Sequence, residues 1–236
     1  MADLLAVLYY DVMRIDPQNP AMAGRDRLVI SKGHAGPALY SVLSMKGYIP
    51  ESELLTLNLL HTNLPSHCDM NRTPGVDMTT GSLGQGFSCA VGVALGARMR
   101  NDGATVYTII GDGESQEGQI WEAAMYAAHA GLGNLIAFTD VNGLQIDGTT
   151  DQVNTLGDLA GKWQAFGWHV QQIDGHDHEA IIRAIEKAKA VSHLPSMILL
   201  KTVKGKGVSF IENMGATNHN AMLSPAQVEL ALQEIG

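Results

Sequence analysis

Apolar runs alternate with amphipathic segments along most of the chain. The runs TVYTIIGDG, NLIAFTDVNG, HVQQIDGHD and SMILLKTV indicate strands that end at glycine or polar residues. Between them, GQIWEAAMYAAHAGL, DLAGKWQAFGW and HEAIIRAIEKAKAV carry apolar residues at helical spacing. Strands that are almost wholly apolar are typical of a parallel sheet covered on both faces. The pattern predicts an α/β fold, a parallel β-sheet flanked by helices.

The N-terminal part predicts further elements. A helix in MADLLAVLYYDVM begins without a capping residue, a short strand lies in RLVISKGHAG, and helices follow in GPALYSVLSMKGYI, ESELLTLNLLHTN and GQGFSCAVGVALGARMR. Residues 64–84 have little periodicity and many Pro, Gly, Thr and Asp residues. We expect an ordered loop there, and long ordered loops are often functional.

Composition narrows the function classes. The chain has 236 residues, a net charge of −9 and 45% hydrophobic residues, so it has material for a core but no basic surface for nucleic acid. Asp3 and Asp11 interrupt the first apolar run, which argues against a signal peptide or a membrane span. Cys68 and Cys89 fit no metal or disulfide motif, which favours a reducing, cytoplasmic location. Without a repeat or linker, we expect one domain, residues 1–236.

Two oxygen-bearing residues follow successive predicted strands. Asp112 and Asn142 each end an apolar run, with one helix between the runs. In a parallel sheet such positions meet at the carboxyl edge, where ligands bind. A carboxylate, an amide oxygen and a nearby carbonyl suit a hard divalent cation, and a helix beginning after Gly113 would face a bound diphosphate. The alternative is a pair of ordinary turns with locally hydrogen-bonded Asp and Asn side chains.

Longer motifs carry a resemblance to a known family. RDRLVISKGHAGPALYSVLSMKGYIP, TTGSLGQG, GDGESQEGQIWEAA, DVNGLQIDG and FGWHVQQIDGHD resemble transketolases, in order and at that family's spacing. The likeness covers nearly the whole chain. It implies a thiamine diphosphate-binding fold and the transfer of a two-carbon ketol unit from a ketose to an aldose.

The resemblance also implies a cofactor site. The metal, Mg²⁺ or else Ca²⁺ or Mn²⁺ in its place, would be held by Asp112, Asn142 and the main-chain carbonyl of Leu144. The residues implied to bind thiamine diphosphate are Gly81, Ser82, Leu83, Asp112, Gly113, Glu114 and Asn142. Of these, the stretch from Gly81 to Leu83 would lie against the aminopyrimidine ring, although many family members have proline where Ser82 stands.

Catalytic roles are implied for four other residues. His34 and His67 match histidines that surround the thiazolium and contact substrate hydroxyls, and His219 is a candidate for a third. Glu117 matches a glutamate at the subunit interface, although an acidic residue in a first helical turn also interacts well with the helix dipole. Lone loop histidines are often ordinary polar groups. Lys204 and Lys206 could attract an anionic ligand, but solvated loop lysines are commoner.

Transketolase chains are usually much longer, and a further domain supplies the glutamate that activates the aminopyrimidine. The resemblance therefore implies the N-terminal subunit of a split transketolase, which works with a C-terminal subunit in an α2β2 assembly on a sugar phosphate or related substrate. A family segment that precedes the first helix is expected to be missing. Two alternatives stay open: half of an enzyme of the deoxyxylulose-phosphate synthase type, or a non-catalytic subunit that keeps the fold.

Overall fold

The protein is described by a computed structural model that covers residues 1–236 apart from the side chain of Asn220. Five parallel strands form the main sheet, in the spatial order β1-β2-β3-β7-β6. A two-stranded antiparallel hairpin, β4-β5, lies apart from it. The strands are β1 (Arg27–Ile30), β2 (Val106–Gly111), β3 (Leu135–Val141), β4 (Leu144–Gln145), β5 (Gly148–Thr149), β6 (His169–Asp174) and β7 (Ser196–Lys201).

Helices connect and cover these strands. They are α1 (Ala2–Val7), α2 (Gly36–Lys46), α3 (Gln85–Arg100), α4 (Gly118–His129), α5 (Thr150–Asn154), α6 (Leu159–Ala165), α7 (His178–Lys189), α8 (Ser209–Glu212) and α9 (Pro225–Ile235). A π-helical turn, Leu8–Val12, extends α1, which has no side-chain cap, as expected. In the described part of the chain, every helix falls short of the length and apolar character that crossing a bilayer requires.

The core has two layers because each central strand is buried on both faces. In β2, Tyr107 and Ile109 pack in the layer that contains α1, α2 and α7. Val106 and Ile110 face the opposite layer, which contains α3, α4 and α6. Side chains of a strand alternate between faces, so burial on both sides requires an apolar residue at nearly every position. The predicted parallel sheet with helices on both faces is confirmed.

The unit β2-α4-β3 positions the candidate site. β2 and β3 are neighbouring parallel strands, with Gly111 paired to Asp140. Asp112 and Asn142 therefore follow adjacent strand ends at one edge, as the sequence predicted. The loop of residues 64–84 has neither helix nor strand, also as predicted, and it is anchored to β1, since the Leu28 amide donates to Asp77 and the Thr80 hydroxyl donates to the Ile30 carbonyl.

Two local predictions were wrong. The segment ESELLTLNLLHTN forms only a 3-10 helix, Glu51–Thr56, followed by turns. Asn58 and His61 have φ values of 62° and 65°, a left-handed conformation that ends a helix. The helix predicted directly after Gly113 also begins later: Gly113–Gln116 is a 3-10 turn, and α4 starts at Gly118. The N-terminus of α4 is thus displaced from Asp112 by a turn.

Candidate metal and cofactor site

Asp112 is a buried carboxylate that joins the ends of β2 and β3. One oxygen accepts from the Gly113 amide at 2.7 Å, and the other accepts from the Gly143 amide at 2.6 Å. Burial raises the pKa of Asp112, whereas these backbone donors and Lys32 act in the opposite direction. A carboxylate has about four lone-pair sites, so both oxygens can accept a further ligand.

Asn142 lies on the neighbouring strand end and turns back on its own loop. Its side-chain oxygen accepts from the Leu144 amide at 3.0 Å, which aligns the Asn142 side chain with the start of the β4-β5 hairpin. Gly143 between them has a φ of 75°, a conformation that favours glycine. Asp112 follows β2, whereas Asn142 and Leu144 follow the neighbouring strand β3. A set of carboxylate, amide and carbonyl oxygens at these two strand ends fits a hard divalent cation.

Glu114 ties three segments together beneath this edge. Its carboxylate accepts from the Ser31 hydroxyl and from the amides of Gly84, at 2.9 Å, and Gly111, at 3.1 Å. Burial raises the pKa of Glu114, and its three donors oppose that shift. Because both carboxylate oxygens are occupied within the protein, Glu114 orients β1, β2 and the start of α3 around the site.

A buried ion pair, which the sequence analysis did not identify, lies next to the predicted metal ligands. Lys32 donates to one carboxylate oxygen of Asp140, and the Thr202 hydroxyl donates to the other. Burial opposes ionisation, but Lys32 and the N-terminal ammonium lower the pKa of Asp140 to about 2. The available signal was a lysine and an aspartate within apolar runs, since buried charges are normally paired.

The predicted histidines come together on one side of this edge. The rings of His34 and His219 lie 5.1 Å apart, centroid to centroid. Burial, followed by the charges of Lys32, His219 and Lys204, lowers the pKa of His34 to about 4. Burial also lowers the pKa of His219.

The residues predicted to lie against the aminopyrimidine ring, Gly81 to Leu83, adjoin these histidines. A Cβ placed on Gly81 would lie 3.6 Å from the Cγ atom of His67, and one placed on Gly33 would lie 2.8 Å from the Thr80 carbonyl. The His34 turn and the Gly81 loop are therefore packed together. Ser82 is exposed, and Leu83 is half-buried. His67 is exposed beside Gly81.

Glu117 is exposed at the N-terminus of α4 and makes no side-chain capping hydrogen bond. Its position as the N-cap residue of α4 is compatible with the alternative interpretation, a favourable interaction of the acidic side chain with the helix dipole. A Cβ on Gly84 would lie 3.3 Å from the Glu117 Cβ atom, so this exposed carboxylate adjoins the loop of Gly81 to Leu83.

Comparison with known proteins agrees with the fold and the motifs. Residues 1–236 match the family described as transketolase, thiamine diphosphate binding domain. The chain is 58% identical over 235 residues to a 6-deoxy-6-sulfo-D-fructose transketolase subunit from Clostridium sp. (strain MSTE9), covering 100% of this chain and 85% of that protein. It is 40% identical over 233 residues to an apulose-4-phosphate transketolase subunit from Phocaeicola vulgatus, covering 99% and 82%.

Solved structures give the same result. A transketolase variant from Pichia stipitis superposes with a TM-score of 0.90 at 32% identity, over 99% of this chain and 36% of that one. The chain thus spans about a third of the full-length enzyme. The protein belongs to the transketolase family, whose members are transferases, and it has that family's thiamine diphosphate-binding fold.

Proposed function

We propose that this chain is the N-terminal subunit of a split transketolase, and that it holds thiamine diphosphate and Mg²⁺ at the carboxyl edge of its sheet. The observation that carries the proposal is the buried Asp112 carboxylate, hydrogen-bonded to Gly143 across two adjacent strand ends. Family membership supports the cofactor. The oxygen donor set of Asp112, Asn142 and Leu144 supports a hard cation.

Each group of residues has a separate task in this proposal. Asp112, Asn142 and the Leu144 carbonyl would hold the metal, which would supply positive charge for the diphosphate of the cofactor. Gly81, Ser82 and Leu83 line the aminopyrimidine pocket. When bound, the cofactor supplies the nucleophilic carbon that carries the two-carbon unit.

The histidines act on the sugar in this proposal. With a pKa of about 4, His34 is neutral near pH 7, so it can donate or accept a hydrogen bond without introducing a charge. His67 and His219 flank it and would orient the substrate hydroxyls.

A separate C-terminal subunit would complete the site. Relatives that carry the name of a transketolase subunit are covered at 82–85% of their length, whereas full-length transketolases are covered at 36–37%. We propose that Glu117 and Ser82, both exposed beside the site, lie at the junction with that subunit. An α2β2 assembly would then contain two complete sites.

The donor sugar is proposed from the similar relatives. The identity of 58% to a 6-deoxy-6-sulfo-D-fructose transketolase subunit makes that sulfonated ketose the first donor to test. Apulose 4-phosphate is the second, from a relative at 40% identity. Turnover of each, with a common aldose acceptor, would separate the two.

The proposal is tested by calorimetric titration of thiamine diphosphate into the complex reconstituted with its C-terminal subunit. We expect saturable binding that requires Mg²⁺ and is lost in Asp112→Ala. Asp147→Ala is the matched control, because Asp147 is exposed in the turn of the neighbouring hairpin. Equal binding by wild type and Asp112→Ala would disprove the metal assignment. Binding without turnover of any ketose would favour a non-catalytic subunit.

A further inference from the structure

His176 lies in the turn between β6 and α7 and is hydrogen-bonded through both ring nitrogens. Its Nδ1 atom lies 3.0 Å from an Asp3 carboxylate oxygen, in the first turn of α1. Its Nε2 atom lies 2.9 Å from the main-chain nitrogen of Val203, in the turn after β7. These partners are 173 and 27 residues away in the sequence, so the imidazole ring joins three separate segments of the chain.

The partners of the ring determine where its proton lies. A main-chain N–H can only donate, so Nε2 of His176 accepts from Val203 through its lone pair. Burial opposes ionisation of Asp3, but hydrogen bonds from His176 and His178 lower the pKa of that carboxyl. A carboxylate can only accept, so Nδ1 of His176 carries the proton and donates. In this network His176 is a neutral imidazole with one defined tautomer.

The backbone beside His176 packs tightly against the end of β7. The Gly175 amide donates to the Lys201 carbonyl at 2.9 Å, and the His176 amide donates to the Asp174 side chain at 2.9 Å. A Cβ on Gly175 would lie 2.6 Å from the Thr202 Cγ2 atom, so only glycine allows this approach. The backbone of His176 is therefore fixed, and its ring can hold the next turn in place.

The turn that His176 holds leads into the candidate site. Val203 is followed by Lys204, whose Nζ atom lies 2.7 Å from Nδ1 of His219. The ring of His219 lies 5.1 Å from that of His34, centroid to centroid. A chain of contacts thus runs from the His176 ring through the turn after β7 to the two histidines of the site.

We propose that His176 is a positioning residue of the candidate site. Its neutral, Nδ1-protonated ring anchors the turn after β7, and the anchored turn places His219. This inference rests on the proposed function, in which His219 orients a substrate hydroxyl. Without an acceptor for the Val203 amide the turn would shift, and misplacement of a substrate-orienting group by about 1 Å can lower turnover by about a hundredfold.

The test uses two replacements of His176 that differ in reach. In His176→Asn the amide lies where Nδ1 lies, so it can still donate to Asp3 but is too short to accept from Val203. In His176→Gln the longer amide has a donor and an acceptor for both partners. His178→Asn is the matched control, because His178 contacts the same carboxylate at 3.1 Å, and among its described contacts none reaches the turn after β7.

Three measurements follow the chain of contacts. Nitrogen NMR of the full chain reports the tautomer of His176 and the environment of His219. Amide hydrogen exchange reports the protection of the Val203 N–H group. Steady-state kinetics of the complex reconstituted with its C-terminal subunit give kcat/KM for the ketose. Circular dichroism confirms that each variant is folded.

We expect the Nδ1-protonated form of His176 in the wild type. In His176→Asn, exchange at Val203 should be about tenfold faster, as for the loss of one hydrogen bond. The nitrogen shifts of His219 should change, and kcat/KM should fall by about tenfold or more. His176→Gln should restore most of the protection and of the turnover, and His178→Asn should match wild type.

An Nε2-protonated His176, or unchanged exchange at Val203 in His176→Asn, would overturn the inference. Faster exchange with unchanged kcat/KM would overturn it as well, because the turn would then not position the site. An equal loss of turnover in His178→Asn would assign the effect to Asp3 and α1 instead. Absence of ketose turnover in the wild-type complex would overturn the proposed function, and the role of His176 in that reaction with it. The tautomer and the exchange rate are measured without turnover, so the two failures are distinguishable.

Discussion

At the scale of single residues, burial of charge dominates the site. Among the described side chains, Lys32, Asp112, Glu114 and Asp140 are the charged groups buried along the carboxyl edge of the sheet. Asp140 has an ion pair, Glu114 has three hydrogen-bond donors, and Asp112 has only backbone amides. Asp112 is therefore the one of these three carboxylates that is held by main-chain amides alone, which supports it as the ligand of a cation.

Glu114→Gln tests whether the Glu114 carboxylate holds β1, β2 and α3 together. An amide has one acceptor oxygen, so its NH₂ group must face either the Gly111 amide or the Ser31 and Gly84 donors. We expect a loss of about 2 kcal/mol in the free energy of unfolding, as for a hydrogen bond to a charged group. Urea unfolding followed by tryptophan fluorescence measures it.

The control for this substitution is Glu122→Gln, because Glu122 is exposed on α4. Surface substitutions of this kind usually change stability by less than about 0.5 kcal/mol. If Glu114→Gln were as stable as Glu122→Gln, the three hydrogen bonds would contribute nothing net, and Glu114 would not be the residue that holds these segments together.

The sequence predicted some of these residues because their signal is local. Asp112 and Asn142 each follow an apolar strand, and the parallel sheet brings such positions together. The Lys32–Asp140 pair joins residues 108 positions apart, so its formation depends on strand order, which periodicity does not reveal. The position of Lys204 likewise depends on the path of the turn after β7, which periodicity does not reveal.

At the scale of elements, the first turn of α3 packs directly against the end of β1. A Cβ on Gly86 would lie 2.6 Å from the Ser31 Cα atom and 2.9 Å from the Thr80 Cγ2 atom. We expect Gly86→Ala to lower the free energy of unfolding by about 1–3 kcal/mol, because overpacking moves backbone. Ser31 donates to Glu114, so cofactor affinity should fall as well.

Gly92→Ala is the matched control in the same helix. A Cβ placed on Gly92 would meet no atom within 4 Å apart from its chain neighbours and the backbone of its own helix, and this position is exposed. Helix propensity alone should then raise the free energy of unfolding of the isolated chain by up to about 1 kcal/mol. Thermal unfolding of both variants gives the comparison. If Gly92→Ala were destabilised instead, a loss of stability in Gly86→Ala could not be attributed to overpacking against Ser31 and Thr80.

Elements were predictable where burial and periodicity agree. The central strands are apolar on both faces because helices cover both, and the sequence shows this directly. The segment from Glu51 failed because its leucines are not buried together: Leu55 is 85% exposed and Leu60 is 88% exposed. The β4-β5 hairpin has two residues per strand, which is too short for a periodic signal.

At the scale of the whole molecule, the site is an open edge of one sheet. Glu117 and Ser82 are exposed there, and the histidines approach the edge from the β1 and β7 sides. The metal ligands themselves come from one β-α-β unit and its hairpin. Cofactor binding should therefore link these segments into a more stable unit, and the gain should depend on the metal.

Ligand-induced stabilisation gives the last prediction. A ligand at a hundred times its dissociation constant stabilises the native state by about 2.7 kcal/mol. For a unit of 150–250 residues that corresponds to a rise in Tm of about 5–11 °C, and the rise is smaller where a larger assembly unfolds as one unit. We expect this shift from thiamine diphosphate with Mg²⁺ in the reconstituted complex, measured by scanning fluorimetry, and its loss when EDTA removes the metal. Asp112→Ala should show no shift. A full shift in EDTA would mean that the diphosphate is held without a metal, and the cation role of Asp112, Asn142 and Leu144 would have to be abandoned.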